Sequence, residues 1–316
     1  MVKRQFIVEP CGGLANRLRA LLSAQRLANL TDRQLALVWK PQKGCGCKFG
    51  DLFEPVATEV NASTPGSASS PETTEISINE TFKLYTQIPV IYCRTLNLIT
   101  APGERPRTVH LSIAPYFNRL KPITCIQAAV DACVTKQFRP HMLGVHVRRG
   151  RHRVHKKLME SGQIEAVDAM FFSEVDRYLR AWPEAGVFLA TDDGAPTEFH
   201  EKYNYRPEGL VRKFTERYGS KLVTYNKRTL DRADVTGVQD ALIDLLLLNH
   251  TNFVLGSAGS SFSKFAIMRN LESLKDPEKS LKMVGIHERK RKRRPLIRRV
   301  IVCFKGLLKQ IRNAVR

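Results

Sequence analysis

Short apolar runs of strand length recur along this chain, and several stop abruptly at glycines or charged residues before a helix-type run begins. Phe6-Ile7-Val8 leads into Gly12-Gly13. Leu14, Leu18, Leu21, Leu22 and Leu27 then fall at helical spacing, so Ala15 to Leu30 reads as a helix. Leu35 to Trp39, Ile88 to Cys93 and Val109 to Ile113 read as strands, and Ile123 to Phe138 as the helix that closes the first half. In the second half, strands are expected at Met142 to Val147, Val187 to Thr191, Leu222 to Tyr225, Phe253 to Leu255 and Met283 to Ile286. Helices at Phe171 to Trp182, Val238 to Leu248 and Ser261 to Leu271 alternate with them. Repeated β-α alternation implies parallel sheets with helices on both faces. The expectation is an α/β chain of two facing Rossmann-like domains, residues 1–139 and 140–286, followed by a separate segment at 287–316. In such sheets ligands bind beyond the carboxyl ends of the strands. Polar residues at those ends are therefore the first candidates for function.

The length of 316 residues and the hydrophobic content of 43% suit two domains. The net charge of +21 is unevenly spread, because residues 287–316 carry twelve Lys and Arg against the single acid Glu288. A moderately basic body suits an anionic ligand, and a concentrated basic tail suits an anionic surface. In that tail Ile297, Val300, Ile301, Phe304, Leu307, Leu308, Ile311 and Val315 follow steps of three and four, with cations on much of the remainder. A basic amphipathic helix behind the run Arg289 to Arg294 is a membrane-surface signature; a nuclear-localisation patch, or a helix packed on the first domain, is the alternative. There is neither a secretory signal nor an apolar stretch of about 18 residues. The expected location is therefore cytoplasmic, peripheral on the inner face of a membrane. No aromatic-plus-basic cluster accompanies the charge, so no nucleic-acid partner is expected. Seven cysteines without regular spacing, only Cys45 and Cys47 being close, read as reduced thiols. Residues 61–75, rich in Ser, Thr and Pro, read as a mobile surface loop.

Four polar clusters mark strand ends. In MLGVHVRR (142–149), alternation puts His146 and Arg148 on one face and Arg149 on the other. A planar, always-charged guanidinium at that place can fork onto a diphosphate; the alternative is a plain exposed arginine pair. In VFLATDD (187–193), Asp192 and Asp193 suit a hard cation, a ribose or base, or a cap for a helix at Pro196. Asp240 and Asp244 are four apart, and Asp244 adjoins the apolar run Leu245 to Leu248. A carboxylate so placed needs a partner, which the N1/N2 edge of a guanine would supply. The run Gly256 to Ser261 then precedes a helix. Its Ser260 and Ser261 suit either an anion site of backbone N–H groups or a simple cap. Finally, CGGLANR (11–17) is a glycine turn that lacks both the P-loop Lys-Ser/Thr and the third glycine of a dinucleotide fingerprint. It would present Asn16 and Arg17.

GGLANRLRAL, HVRR, ATDD and GSSFSKFA, in this order and spacing, resemble the GDP-fucose fucosyltransferase superfamily. That group holds the α1,2- and α1,6-enzymes, their nodulation relatives and the protein O-fucosyltransferases. The resemblance implies a GT-B fold and an inverting, generally metal-independent transfer of fucose from GDP-fucose to a glycan hydroxyl. Another GDP-sugar, or a non-catalytic nucleotide- or nucleic-acid-binding role, is the alternative. It implies catalysis by Arg148, as the arginine on the β-phosphate. It implies donor binding by His146, Asp192, Asp193 and Asp244, by Ser260 or Ser261, and by Gly12, Gly13 and Asn16; the neighbouring Arg149 and Arg17 are further candidate donor contacts read from their place in the chain. No metal or other cofactor is expected. The acceptor would be a glycan, lipid-linked if the tail docks on a membrane. Two departures stand out. Gly150 is followed by Arg151 where relatives often carry Asp, and Arg17 stands where α1,2-enzymes have Gln. Both leave the sugar and the acceptor open.

Overall fold

A computed structural model describes residues 4–55, 87–149, 162–193 and 209–266, with short pieces at 58–59, 73–75, 80, 83–84, 268 and 281–284. The chain forms two compact units, Met1–Ala128 with Asp231–Leu242, and Ala129–Leu230 with Ile243–Arg316. The tail at 287–316 and, apart from 73–75, the loop at 61–75 lie outside the described residues.

The first unit is built on a parallel sheet of order β3-β2-β1-β5-β4. Its strands are β1 (Gln5–Pro10), β2 (Gln34–Leu37), β3 (Thr58–Glu59), β4 (Thr73–Glu75) and β5 (Val90–Thr95). Phe6, Ile7 and Val8 of the central strand are all buried, as expected for a strand covered on both faces. Helix α1 (Leu14–Leu30) buries Leu14, Leu18, Leu21, Leu22 and Leu27, the stripe read from the sequence. Val109 to Ile113 is not a strand. It belongs to helix α2 (Pro106–Ser112), which Pro106 opens at the first helical position, where a missing N–H costs nothing. Helix α3 (Ala114–Asn118) follows at once, and α4 (Thr124–Gln137) carries the chain into the second unit.

The second unit holds another parallel sheet, of order β10-β9-β6-β7-β8. Its strands are β6 (Met142–Val147), β7 (Gly186–Thr191), β8 (Leu222–Val223), β9 (Phe253–Ser257) and β10 (Leu281–Val284). Its helices are α5 (Ile164–Ala181), α6 (Gly209–Tyr218), α7 (Val235–Asn249) and the short α8 (Ser261–Phe265). Leu143, Val145 and Val147 of β6 pack with Val187 and Leu189 of β7, Phe171 and Val175 of α5, and Phe214 of α6. Gly144 sits mid-strand because a Cβ there would lie 2.6 Å from Thr251 Oγ1. Helix α5 starts seven residues ahead of the sequence reading, and β8 is two residues shorter. Both sheets are parallel throughout their described pairings, as β-α alternation requires.

Candidate active site

Strand register brings three of the sequence clusters to one edge of the second unit. Val147 pairs with Thr191, and His146 with both Ala190 and Gly256. The residues that follow β6, β7 and β9 therefore emerge side by side at the carboxyl ends of the strands. Ser257 clips this edge together. Its Oγ donates to His146 O at 3.1 Å and accepts from Arg148 N at 2.8 Å. Thr191 does the same on the other side, donating to Val147 O at 2.8 Å and accepting from Asp193 N at 3.1 Å.

The two arginines separate as strand alternation demands. Arg148 keeps 34% of its side chain exposed, and its Nε lies 3.0 Å from Asp192 Oδ2. Asp192 is nearly buried, and its Oδ1 also accepts from Arg149 N. One carboxylate thus holds the backbone after β6 and lies beside the Arg148 guanidinium. Arg149 turns inward. Its side chain is 1% exposed and ion-pairs with Asp168 of α5, which in turn has Lys213 Nζ of α6 at 3.7 Å. This corrects the expectation that Arg149 touches the donor: its charge is spent inside the unit, because the strand's inner face is packed against α5.

Asp193 also has a structural use, since its Oδ2 accepts from Leu210 N at 3.0 Å in the first turn of α6. The helix expected at Pro196, which Asp192 and Asp193 would cap, lies outside the described residues. Among the described residues Asp192 meets Arg148 and Arg149, and Asp193 meets Leu210. His146 is buried, with Nδ1 2.7 Å from Ser263 Oγ and its ring stacked on Phe262 at 4.8 Å. Ser260 caps α8, accepting from Ser263 N at 3.3 Å. Ser261, the other serine of the pair, is half-buried. Asp244 of α7 is buried, and Lys227 Nζ approaches its Oδ2 at 3.0 Å. The sequence reading reserved this carboxylate for a ligand; the structure supplies a lysine from the loop after β8.

In the first unit Gly12 adopts φ +80°, in the left-handed region, and Gly13 caps α1, with Asn16 half-buried in the first turn. Arg17 is corrected as a donor contact. It is fully buried, donates from Nε to Gly12 O at 2.9 Å and from Nη2 to Lys40 O at 2.7 Å, and stacks over Trp39 at 4.9 Å. The guanidinium holds the glycine turn instead of leaving it. The sequence reading missed Glu9, buried at the end of β1 between Lys40 and Arg94. Burial alone would raise its carboxyl pKa. The Tyr92 hydroxyl, Lys40 and Arg94 outweigh that and hold it below the usual range. Among the described residues no helix is long and apolar enough to cross a membrane.

No protein-family model and no curated protein matches this sequence. Solved structures do match. Fucosyltransferase NodZ from Bradyrhizobium superposes with a TM-score of 0.58 at 19% identity, over 84% of this chain and 91% of its own. POFUT1 in complex with GDP-fucose gives 0.55 at 12% identity, over 91% and 99%. An Arabidopsis thaliana FUT1 variant in complex with GDP gives 0.51 at 14% identity, over 84% and 68%. All three are similar to this chain across both of its units, and they come from the group that its motifs resemble. This chain has the GT-B fold that these three structures share.

Proposed function

We propose that this protein is an inverting glycosyltransferase that moves fucose from GDP-fucose to a glycan hydroxyl. The observation that carries the reading is Arg148: a partly exposed guanidinium, beside a nearly buried Asp192, at the carboxyl ends of a parallel sheet. The neighbours add weight, since NodZ soaked with GDP-fucose and POFUT1 with GDP-fucose share the fold. In the proposed reaction the acceptor oxygen attacks C1 from the face opposite the nucleotide. The C1–O bond to the diphosphate breaks, and GDP leaves with the charge. The main demand is stabilising that charge, which Arg148 meets with donors fixed before the reaction begins. Charge is thus supplied without a metal, and transfer is expected to survive EDTA.

Base selectivity follows from Asp244. Its carboxylate accepts and the adjacent Lys227 ammonium donates, which complements guanine N1–H, N2–H and O6, whereas a uracil edge offers the carboxylate one N–H instead of two. GDP at about a hundred times its dissociation constant should add roughly 2.7 kcal/mol of stability, and UDP much less. Thermal shift with GDP, GDP-fucose, GDP-mannose and UDP-sugars measures this. Equal shifts with GDP and UDP would remove the guanine assignment. Release of fucose from GDP-fucose, but of no other sugar in the same panel, tests the donor, and loss of turnover in EDTA restored by a divalent ion would return the aspartates to a metal role.

We further propose, from the charge and apolar spacing of residues 287–316, that the tail docks the enzyme on an anionic membrane where a lipid-linked glycan is met. Co-sedimentation with anionic vesicles should hold the full chain and lose a chain ending at Ile286. Equal binding by both, or none by either at low salt, refutes docking.

A further inference from the structure

Cys45 and Cys47 of the first unit are both buried, with their Sγ atoms 3.8 Å apart. The turn that carries them is held from several sides. Gln42 and Cys45 exchange backbone hydrogen bonds of 3.0 and 2.7 Å, and Trp39 Nε1 donates to Cys47 O at 3.0 Å. Gly46, between the cysteines, donates to Arg232 O at 2.8 Å, and a Cβ on it would fall 1.8 Å from the Ala233 carbonyl oxygen. The intervening residue is therefore pinned by neighbouring backbone, and the two thiols are kept in contact. The turn itself lies at the surface, since Lys43 and Gly44 are exposed.

The thiols are not equivalent. The hydrogen bond from Cys47 lowers Cys45 below the ordinary thiol range against its burial, and the charges of Arg17 and Arg232 assist. Cys47 gives that hydrogen bond, is buried beside Cys45, and is pushed well above the range. Independently of titration, Arg17 Nη1 is buried and has no hydrogen-bond acceptor among the described residues. The Arg17 charge acts on both thiols and favours a thiolate in the pair. A nucleophilic thiolate touching a protonated thiol is the arrangement that thiol oxidation chemistry uses.

We propose that Cys45 and Cys47 form a redox-active dithiol that a hydroperoxide closes to a disulfide and a small thiol reopens. The Cys45 thiolate attacks the peroxide oxygen. The S–O bond forms, the O–O bond breaks, and the alkoxide takes a proton and leaves as alcohol. Cys47 sulfur then attacks the Cys45 sulfenic acid. The S–S bond forms, the S–O bond breaks, and hydroxide leaves as water with the Cys47 proton. Two thiols are oxidised and one peroxide is reduced. Gly44, next in the chain, lies against Gly12 and Gly13, where an added Cβ would meet Gly13 N at 3.6 Å and Gly12 C at 3.7 Å. Bridging needs the sulfurs about 2.05 Å apart, so closure pulls directly on the glycine turn.

The test needs no substrate. The native full chain is treated with tert-butyl hydroperoxide, quenched, alkylated in denaturant and cut with trypsin. Cleavage after Lys43 and Lys48 releases residues 44–48 with both cysteines. The expected peptide is unalkylated, lighter by two hydrogen atoms, and doubly alkylated only after reduction. In Cys47→Ser the reaction should stop at a Cys45 sulfenic acid that dimedone traps. In Cys45→Ser the peptide should stay unoxidised at the same dose. A wild-type peptide 44–48 that remains doubly alkylated at a dose oxidising the exposed Cys125 overturns the proposal.

Discussion

Arg148→Ala should lower kcat/KM for GDP-fucose turnover by about 10²- to 10³-fold, roughly 2.7–4 kcal/mol, with the protein still folded. The argument rests on where charge develops. A leaving diphosphate gains charge as the C1–O bond breaks, so a donor already aimed at it acts in the transition state more than in the ground state. Arg148 is placed before any ligand arrives, because Asp192 Oδ2 lies 3.0 Å from its Nε and Ser257 holds its backbone N–H. Arg148→Lys should recover little, since an ammonium cannot fork onto two oxygens. Asp192→Asn keeps an acceptor for the Arg149 N–H but weakens the grip on the guanidinium, so its loss should be smaller and fall mainly on kcat. Thermal melts of each variant separate these losses from unfolding. Arg148→Ala with near-normal turnover would end the proposed mechanism.

The strand ends that build this site were legible in the sequence because each is a place where one rule stops abruptly. MLGVHV and GVFLAT are apolar enough to be buried on both faces, and the charged pairs after them have nowhere to go but the sheet edge. Alternation alone separated Arg148 from Arg149. What it did not give was the destination of Arg149, because Asp168 lies ahead of the helix read at Phe171 to Trp182. The signal was present: Ile164, Val167, Phe171, Val175 and Tyr178 continue the helical stripe upstream, and Asp168 stands on its buried face beside Val167 and Phe171. An acid inside an apolar stripe implies a buried cation, and the strand beside it offered one. Val109 to Ile113 failed for the opposite reason: five residues are too few to distinguish periods, and Pro106 decided for helix. Arg17 and Asp244 show a third limit. Sequence spacing put each beside a ligand-type turn or an apolar run. Which partner each charge finds, Gly12 and Lys40 for one and Lys227 for the other, depends on chain brought in from elsewhere.

Asp168→Ala should destabilise the protein by about 3–5 kcal/mol, because it removes from the buried Arg149 charge its counterion among the described residues. At roughly 2–4 °C per kcal/mol for a protein of this size, the melting temperature should fall on the order of 10 °C. Lys213 is nearly half exposed and can turn to water, so Arg149, with a side chain 1% exposed, bears the cost. The pair itself need not be a net source of stability, since desolvating two charges offsets most of their attraction. Replacing both partners should expose this. Arg149→Met with Asp168→Leu removes the buried charges, keeps the volume near that of the original and should recover most of the loss. A melting temperature of the double variant no higher than that of Asp168→Ala would show that the pair is doing something other than neutralising itself. Asp168→Ala within about 0.5 kcal/mol of the wild type, the range of an ordinary surface change, would show that Arg149 is not buried as described. If both expectations hold, adjacent arginines divide the work at the end of one strand. Arg149 binds the strand to helices α5 and α6, and the edge so fixed holds Arg148 at the donor's phosphate.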